Sequence, residues 1–206
     1  MRKILYIHGM GGGSDSRIPS ILNDRLNGQD IFVTARTYSF DPEEARGQIE
    51  SWVEELKPDL VIGESLGALH ALRITGVPRL LISPALNAPL YFAPLAWMTL
   101  IPGVTWIFDR IYRPREGDRQ PLHFKFRTLR KYRSHRKAAF SSSVGGDDFI
   151  FAFIGKRDHY RRSGVVSLRT WKKHFGSSFQ LYDGTHFTEE EYIDSMVIPK
   201  ILEVLK

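Results

Sequence analysis

Ser65 stands between two glycines in Gly63-Glu64-Ser65-Leu66-Gly67, a G-x-S-x-G spacing. A serine hydroxyl attacks a carbonyl only when a base takes its proton, so chemistry at Ser65 calls for a histidine and a group that orients it. The flanking residues suggest how the serine is held. Asp59-Leu60-Val61-Ile62 reads as a short buried strand, and Ala68-Leu69-His70-Ala71-Leu72 as a helix ending at Gly76, with Pro78 just beyond. A strand turning sharply into a helix leaves no room for side chains beside the serine, which accounts for the two glycines. It also lifts the hydroxyl off the sheet edge and aims the start of the helix at the reacting group. The competing reading is a structural Gly-Ser turn.

Two later turns offer the partners. A strand expected over 148–154 runs into Gly155-Lys156-Arg157-Asp158, and one expected over 178–182 runs into Asp183-Gly184-Thr185-His186. His186 is the expected base and Asp158 the expected orienting acid. Their competitors are His159 beside the acid, and His174 on a helix expected over 165–175. Asp183 is too close in sequence to His186, and Asp147 and Asp148 precede their strand.

A fourth element follows the first strand, Lys3 to Ile7, as His8-Gly9-Met10-Gly11-Gly12-Gly13. Such a loop can present backbone N–H groups to a developing oxyanion, with Met10 and Leu66 as the expected donors. A phosphate-cradling loop is the rival, but the G-x-x-x-x-G-K-[S/T] and G-x-G-x-x-G spacings are both missing. His8 is expected to brace the loop.

Together, Tyr6-Ile7-His8-Gly9, Gly63 to Gly67, Ser83-Pro84-Ala85, Asp158 and Gly184-Thr185-His186 resemble the α/β-hydrolase superfamily, and most closely its small bacterial serine esterase-like members. The resemblance implies the chain order serine, acid, histidine. It implies hydrolysis of an ester, thioester or related acyl bond through an acyl-enzyme, with no cofactor. A serine at 65 argues against the branches that use an aspartate nucleophile. The departure is a long segment between Pro84 and about Gly145, where the superfamily carries a cap or lid.

The rest of the sequence agrees with such an enzyme. The 206 residues suffice for one domain with a sizeable core, and 42% hydrophobic with 25% charged residues is ordinary globular composition. The absence of cysteine removes thiol catalysis, disulfides and thiolate metal sites, and no metal site is expected. The apolar run at the start is too short for a secretory signal, so a cytoplasmic enzyme is expected. Strands near 3–7, 31–38, 59–63, 79–83, 148–154 and 178–182 alternate with helical segments. One helix opens at Asp41-Pro42-Glu43-Glu44. Another opens at Thr188-Glu189-Glu190-Glu191, with Pro199 expected to kink or break it. The expectation is an α/β, three-layer, α/β-hydrolase-like fold: about six mostly parallel strands, helices on both faces, and a cap or lid over about 85–145.

That insertion changes character midway. Residues 80–108 carry no charge, but Pro84, Pro89, Pro94, Pro102 and Gly103 break the stretch too often for a membrane-spanning helix. An apolar inner face over the serine would shape an acyl pocket, with Phe92 and Trp97 lining it. Residues 110–137 hold eleven Lys or Arg against Glu116 and Asp118, a local charge of +9 in a chain of +6. This surface is read chiefly as a solvated cap, with weak contact to an anionic substrate or anionic membrane as the functional alternative. No recognised nucleic-acid-binding motif accompanies the charges, so the expected partner is a small-molecule acyl substrate and not nucleic acid. The alternative from another class is a hydrolase-fold scaffold protein that works through the basic insertion.

Overall fold

The computed structural model of the chain describes residues 1–113, 117–143 and 148–206. Arg115, Glu116, Gly145 and Asp147 of the sequence reading lie outside the described residues. The six strands are β1 (Arg2–Ile7), β2 (Ile31–Ala35), β3 (Leu60–Glu64), β4 (Arg79–Ile82), β5 (Ile150–Gly155) and β6 (Phe179–Tyr182). They form one parallel sheet in the order β2-β1-β3-β4-β5-β6. Around it lie α1 (Arg17–Leu26), α2 (Pro42–Leu56), α3 (Gly67–Ala71), α4 (Ala88–Met98), α5 (Val104–Ile111), α6 (Phe126–Ser143), α7 (His159–Ser163), α8 (Leu168–Phe175), α9 (Glu190–Tyr192) and α10 (Ile198–Val204).

Parallel strands are buried on both faces, so successive residues of one strand feed two different cores. Leu5 and Ile7 of β1, Val61 of β3 and Leu81 of β4 pack with Ile49 of α2, Leu69 of α3, Phe92 of α4 and Tyr132 of α6. Ile4 and Tyr6 of β1, Ile62 of β3 and Phe153 of β5 pack instead with Leu22 of α1 and Ile201 of α10. Helices on both sides of the sheet make three layers.

Local chemistry sets most boundaries. Asp41 accepts the Glu43 N–H at 3.0 Å and Pro42 opens α2 as expected. Ser167 accepts the Thr170 N–H at 3.1 Å, so α8 starts at Leu168 rather than at Val165. At the C-terminus Thr188 does not cap a helix. It has φ 42°, its hydroxyl pairs with the Tyr182 hydroxyl at 2.7 Å, and Glu189 precedes α9 instead. Between α9 and α10 the chain widens to a π turn over Ile193–Val197, and Pro199 falls in the first turn of α10. The missing proline N–H is tolerated in a first turn, so the change of pitch takes the place of a sharp break.

The segment between β4 and β5 folds as α4, α5 and α6, with α4 packed along α6. Its charge-free part divides in two. Phe92 and Ala96 are buried, whereas Trp97 is 59% and Trp106 65% exposed. No helix among the described residues is long and apolar enough to cross a membrane.

Candidate active site

The strand order fixes where a site can form. From β1 the chain crosses through α1 to β2 on one side; from β3 it crosses through α3 to β4 on the other. The loops leaving β1 and β3 diverge, and a crevice opens between them at the carboxyl ends of the strands. Ser65 and the His8–Gly13 loop both lie at that crevice.

Ser65 has φ 50°, an unfavourable conformation for a residue with a side chain, costing about 1–2 kcal/mol. Close packing holds it there. A Cβ on Gly67 would lie 2.4 Å from the carbonyl oxygens of Ile7 and His8, and one on Gly63 2.7 Å from Ala71 Cβ. Only glycine lets the turn press against β1. The Ser65 amide donates to the Ile82 carbonyl at 2.9 Å, and its carbonyl accepts from Ala85 at 3.0 Å, tying the turn to β4.

Asp158 and His186 come together because the loops after β5 and β6 are bonded to each other. Lys156 donates to the Tyr182 carbonyl at 2.7 Å and Arg157 to the Gly184 carbonyl at 2.9 Å. Gly155 permits this crossing, since a Cβ there would meet the Gly184 carbonyl oxygen at 2.5 Å.

Asp158 is 2% and His186 4% exposed. Asp158 Oδ1 accepts the Tyr160 N–H at 2.8 Å, and Oδ2 lies 2.8 Å from His186 Nδ1. The carboxylate needs a donor at Nδ1, which leaves Nε2 as the acceptor, and Nε2 lies 2.9 Å from Ser65 Oγ. The Tyr160 ring packs edge-on against the His186 ring at 4.6 Å.

The competitors have other occupations. His159 is exposed, with its ring centroid 6.0 Å from that of His186. His174 stacks on Phe140 at 4.0 Å. Asp183 is exposed and faces Arg157 at 3.5 Å, and Asp148 pairs with buried Arg79 at 2.8 Å.

Met10 and Leu66 both line the cavity beside Ser65, and neither backbone N–H donates to another described group. His8 braces the loop: its Nδ1 donates to the Gly9 carbonyl at 2.7 Å, and its ring stacks on Tyr38 at 4.3 Å. Burial pushes the His8 imidazole down to about 4, so it is neutral at pH 7.

The cavity measures about 230 Å³, and Ala88, Tyr91, Phe92 and Val165 supply its apolar wall. Phe92, expected to line an acyl pocket, stands in that wall. Trp97, expected beside it, does not. It lies outside the cavity, packing on Phe126 at 5.2 Å under the Arg130 guanidinium. On the 11-residue α4, Trp97 falls beyond the turns that face the serine.

Several supporting residues escaped the sequence reading. Arg17, at the start of α1, donates to the carbonyls of Phe187 and Thr188, the latter at 2.6 Å, and holds the loop behind His186. Asp118 accepts from Ser14 and Thr37, both at 2.6 Å, and Gln120 reaches Gly11. These pairings span up to 171 positions and have no local signal. Among the described residues no group of His, Cys, Asp or Glu is placed to hold a metal ion.

No family model matches the sequence, and no curated protein matches it. Solved structures do. A monoacylglycerol lipase from Paleococcus ferrophilus is similar over 98% of this chain and 93% of its own, with a TM-score of 0.67 at 18% identity. Est1E from Butyrivibrio proteoclasticus, solved with ferulic acid bound, is similar over 100% and 90%, with a TM-score of 0.67 at 16% identity. The mouse alpha/beta hydrolase domain-containing protein 10 is similar over 99% and 90%, with a TM-score of 0.65 at 14% identity. At such identities the likeness speaks for architecture, and the architecture of this chain is the α/β-hydrolase fold.

Proposed function

We propose that the protein is a serine hydrolase that cleaves an acyl ester or thioester through an acyl-enzyme intermediate. The observation that carries this reading is the unbroken chain of hydrogen bonds from Ser65 through His186 to Asp158, set beside two backbone amides that have no partner among the described residues.

Ser65 Oγ attacks the acyl carbonyl carbon while His186 Nε2 takes the hydroxyl proton. The carbonyl oxygen becomes an oxyanion that accepts from the N–H groups of Met10 and Leu66. The tetrahedral adduct collapses, the bond to the leaving oxygen or sulfur breaks, and His186 returns the proton to the leaving group. Water then repeats the sequence on the acyl-enzyme and frees the acid. Asp158 keeps the proton on Nδ1 and stabilises the imidazolium that forms.

Phe92, Ala88 and Val165 would take the acyl chain, and the segment carrying α4, α5 and α6 would cap the site. Similarity in fold to a lipase and to Est1E is consistent with an ester substrate.

The test is turnover of a short nitrophenyl ester together with labelling by a fluorophosphonate. Both should vanish in Ser65→Ala while the folded state persists. A folded wild-type protein that neither labels nor turns over would favour the scaffold alternative.

A further inference from the structure

From the C-terminal end of α4 to the last residue of α5, seven large apolar side chains stand exposed: Trp97, Met98, Leu100, Ile101, Trp106, Ile107 and Ile111 are between 47% and 66% accessible. Phe108, between them, is partly buried and packs against the core, its ring 5.6 Å from that of Phe124. So α5 is seated on the protein by one side and offers the other to the surroundings. So many large apolar side chains exposed along one short stretch of chain mark an interface.

The cations beside it are available. The Arg110 guanidinium lies over Trp106 at 5.6 Å, and that of Arg130 over Trp97 at 5.9 Å. Arg110, Arg113, Arg127, Arg130 and Arg133 are exposed and form no ion pair among the described residues. Other basic residues of the same segment are committed to the fold: Lys131 to Asp41 at 2.8 Å, Arg119 to Asp15 at 3.0 Å, and Arg136 to the Leu86 carbonyl at 2.7 Å.

We infer that the α4–α5 surface is a docking face for an anionic lipid bilayer, with Trp97 and Trp106 at headgroup depth, the isoleucines at the acyl boundary, and Arg110 and Arg130 on lipid phosphates. Charge complementarity selects this occupant. A second copy of the chain would bring two cationic faces together. A nucleic acid would leave the aliphatic side chains unused. An anionic membrane takes both the aliphatic and the cationic part, which is the composition of interfacial segments.

The inference does not depend on Ser65 chemistry, and it extends the proposed function by placing the cavity near lipid. Tyr91 on the cavity wall and Trp97 in the surface patch are six residues apart on α4, about 9 Å along its axis.

The test is flotation of the full chain with phosphatidylcholine vesicles, with and without phosphatidylserine. Binding should require phosphatidylserine and weaken with added salt. Arg110→Gln and Arg130→Gln should each weaken it about fivefold. Trp106→Ser with Ile111→Ser should abolish it without changing the melting temperature, because these side chains are exposed. Ser65→Ala should bind like the wild type, so loss of hydrolysis and loss of docking are read separately. Absence of vesicle binding at low salt would overturn the inference. So would binding that survives Trp106→Ser with Ile111→Ser, or a dimer in sedimentation that these substitutions dissolve.

Discussion

Gln120 Oε1 accepts the N–H of Gly11 at 3.1 Å, joining the segment between α5 and α6 to the glycine loop after β1. The same residue donates from its backbone to the Gly12 carbonyl at 2.7 Å and from Nε2 to the Tyr38 carbonyl at 3.1 Å. It is 1% exposed. The loop that carries the Met10 amide is therefore shaped from outside its own sequence. Gln120→Leu leaves buried groups unpaired and should cost about 1–3 kcal/mol of stability. It should also lower kcat up to about 100-fold with little change in KM, as the Met10 amide loses its aim. A stability loss with kcat intact would make Gln120 a purely structural residue.

Asp158→Asn separates geometry from proton placement. The asparagine oxygen can still accept from Tyr160, but its NH₂ then faces His186 Nδ1, which must turn acceptor. Nε2 becomes protonated and can no longer take the Ser65 proton. The expected loss in kcat is on the order of 10⁴-fold with the fold retained. Ester turnover and circular dichroism check it, and near-normal turnover would remove Asp158 from the catalytic set.

Gly67→Ala should be far more damaging than its size suggests. The new methyl would sit 2.4 Å from the carbonyl oxygens of Ile7 and His8, in backbone that cannot withdraw without moving Ser65. A loss of about 1–3 kcal/mol or more is expected in urea unfolding, with activity abolished in whatever remains folded. Gly28→Ala is the control, since its added Cβ meets nothing within 4 Å; that substitution should be neutral or slightly stabilising.

The elbow, the six strands and the two loops after β5 and β6 were legible because each is written in contiguous residues. Strand periodicity, glycine spacing and the order of Ser65, Asp158 and His186 are local signals. The helix starts were less so. Thr188 has the composition of a cap, yet its hydroxyl goes to Tyr182 and its backbone to the left-handed region. Hydrophobicity alone puts Trp97 in the pocket, but it stands at the C-terminal end of α4, where its ring packs on Phe126 of α6 and stays 59% exposed. Arg17, Asp118 and Gln120 act through pairings that only the folded chain creates.

Phe92 and Trp97 offer a direct test of that difference. Phe92→Leu shortens one wall of the cavity and should raise kcat/KM for longer acyl esters relative to acetyl esters. Trp97→Ala should leave the chain-length profile unchanged in detergent-free solution with soluble esters. A Trp97→Ala profile that falls selectively for long chains would return the tryptophan to the acyl pocket.

Acid should destabilise the fold through buried histidines. Burial holds His8 down to about 4 and His135 down to about 3, and His70 well below its ordinary value. Arg73, donating to His135 Nδ1 at 3.1 Å, further opposes a second positive charge there. Well above pH 6.5 these rings are neutral in both folded and unfolded chains and contribute nothing to pH dependence. Below it the unfolded chain takes up protons that the folded chain refuses, so stability falls as pH falls. For His8 the decline runs from about 6.5 to 4 and amounts to about 3 kcal/mol at its end; for His135 it continues to about 3. Urea midpoints should therefore drop steadily from pH 7 to pH 4.5. His70→Phe removes a ring whose two nitrogens have no hydrogen-bond partner among the described residues, and it should flatten part of that slope. Midpoints independent of pH over this range would show that the folded state accepts these protons.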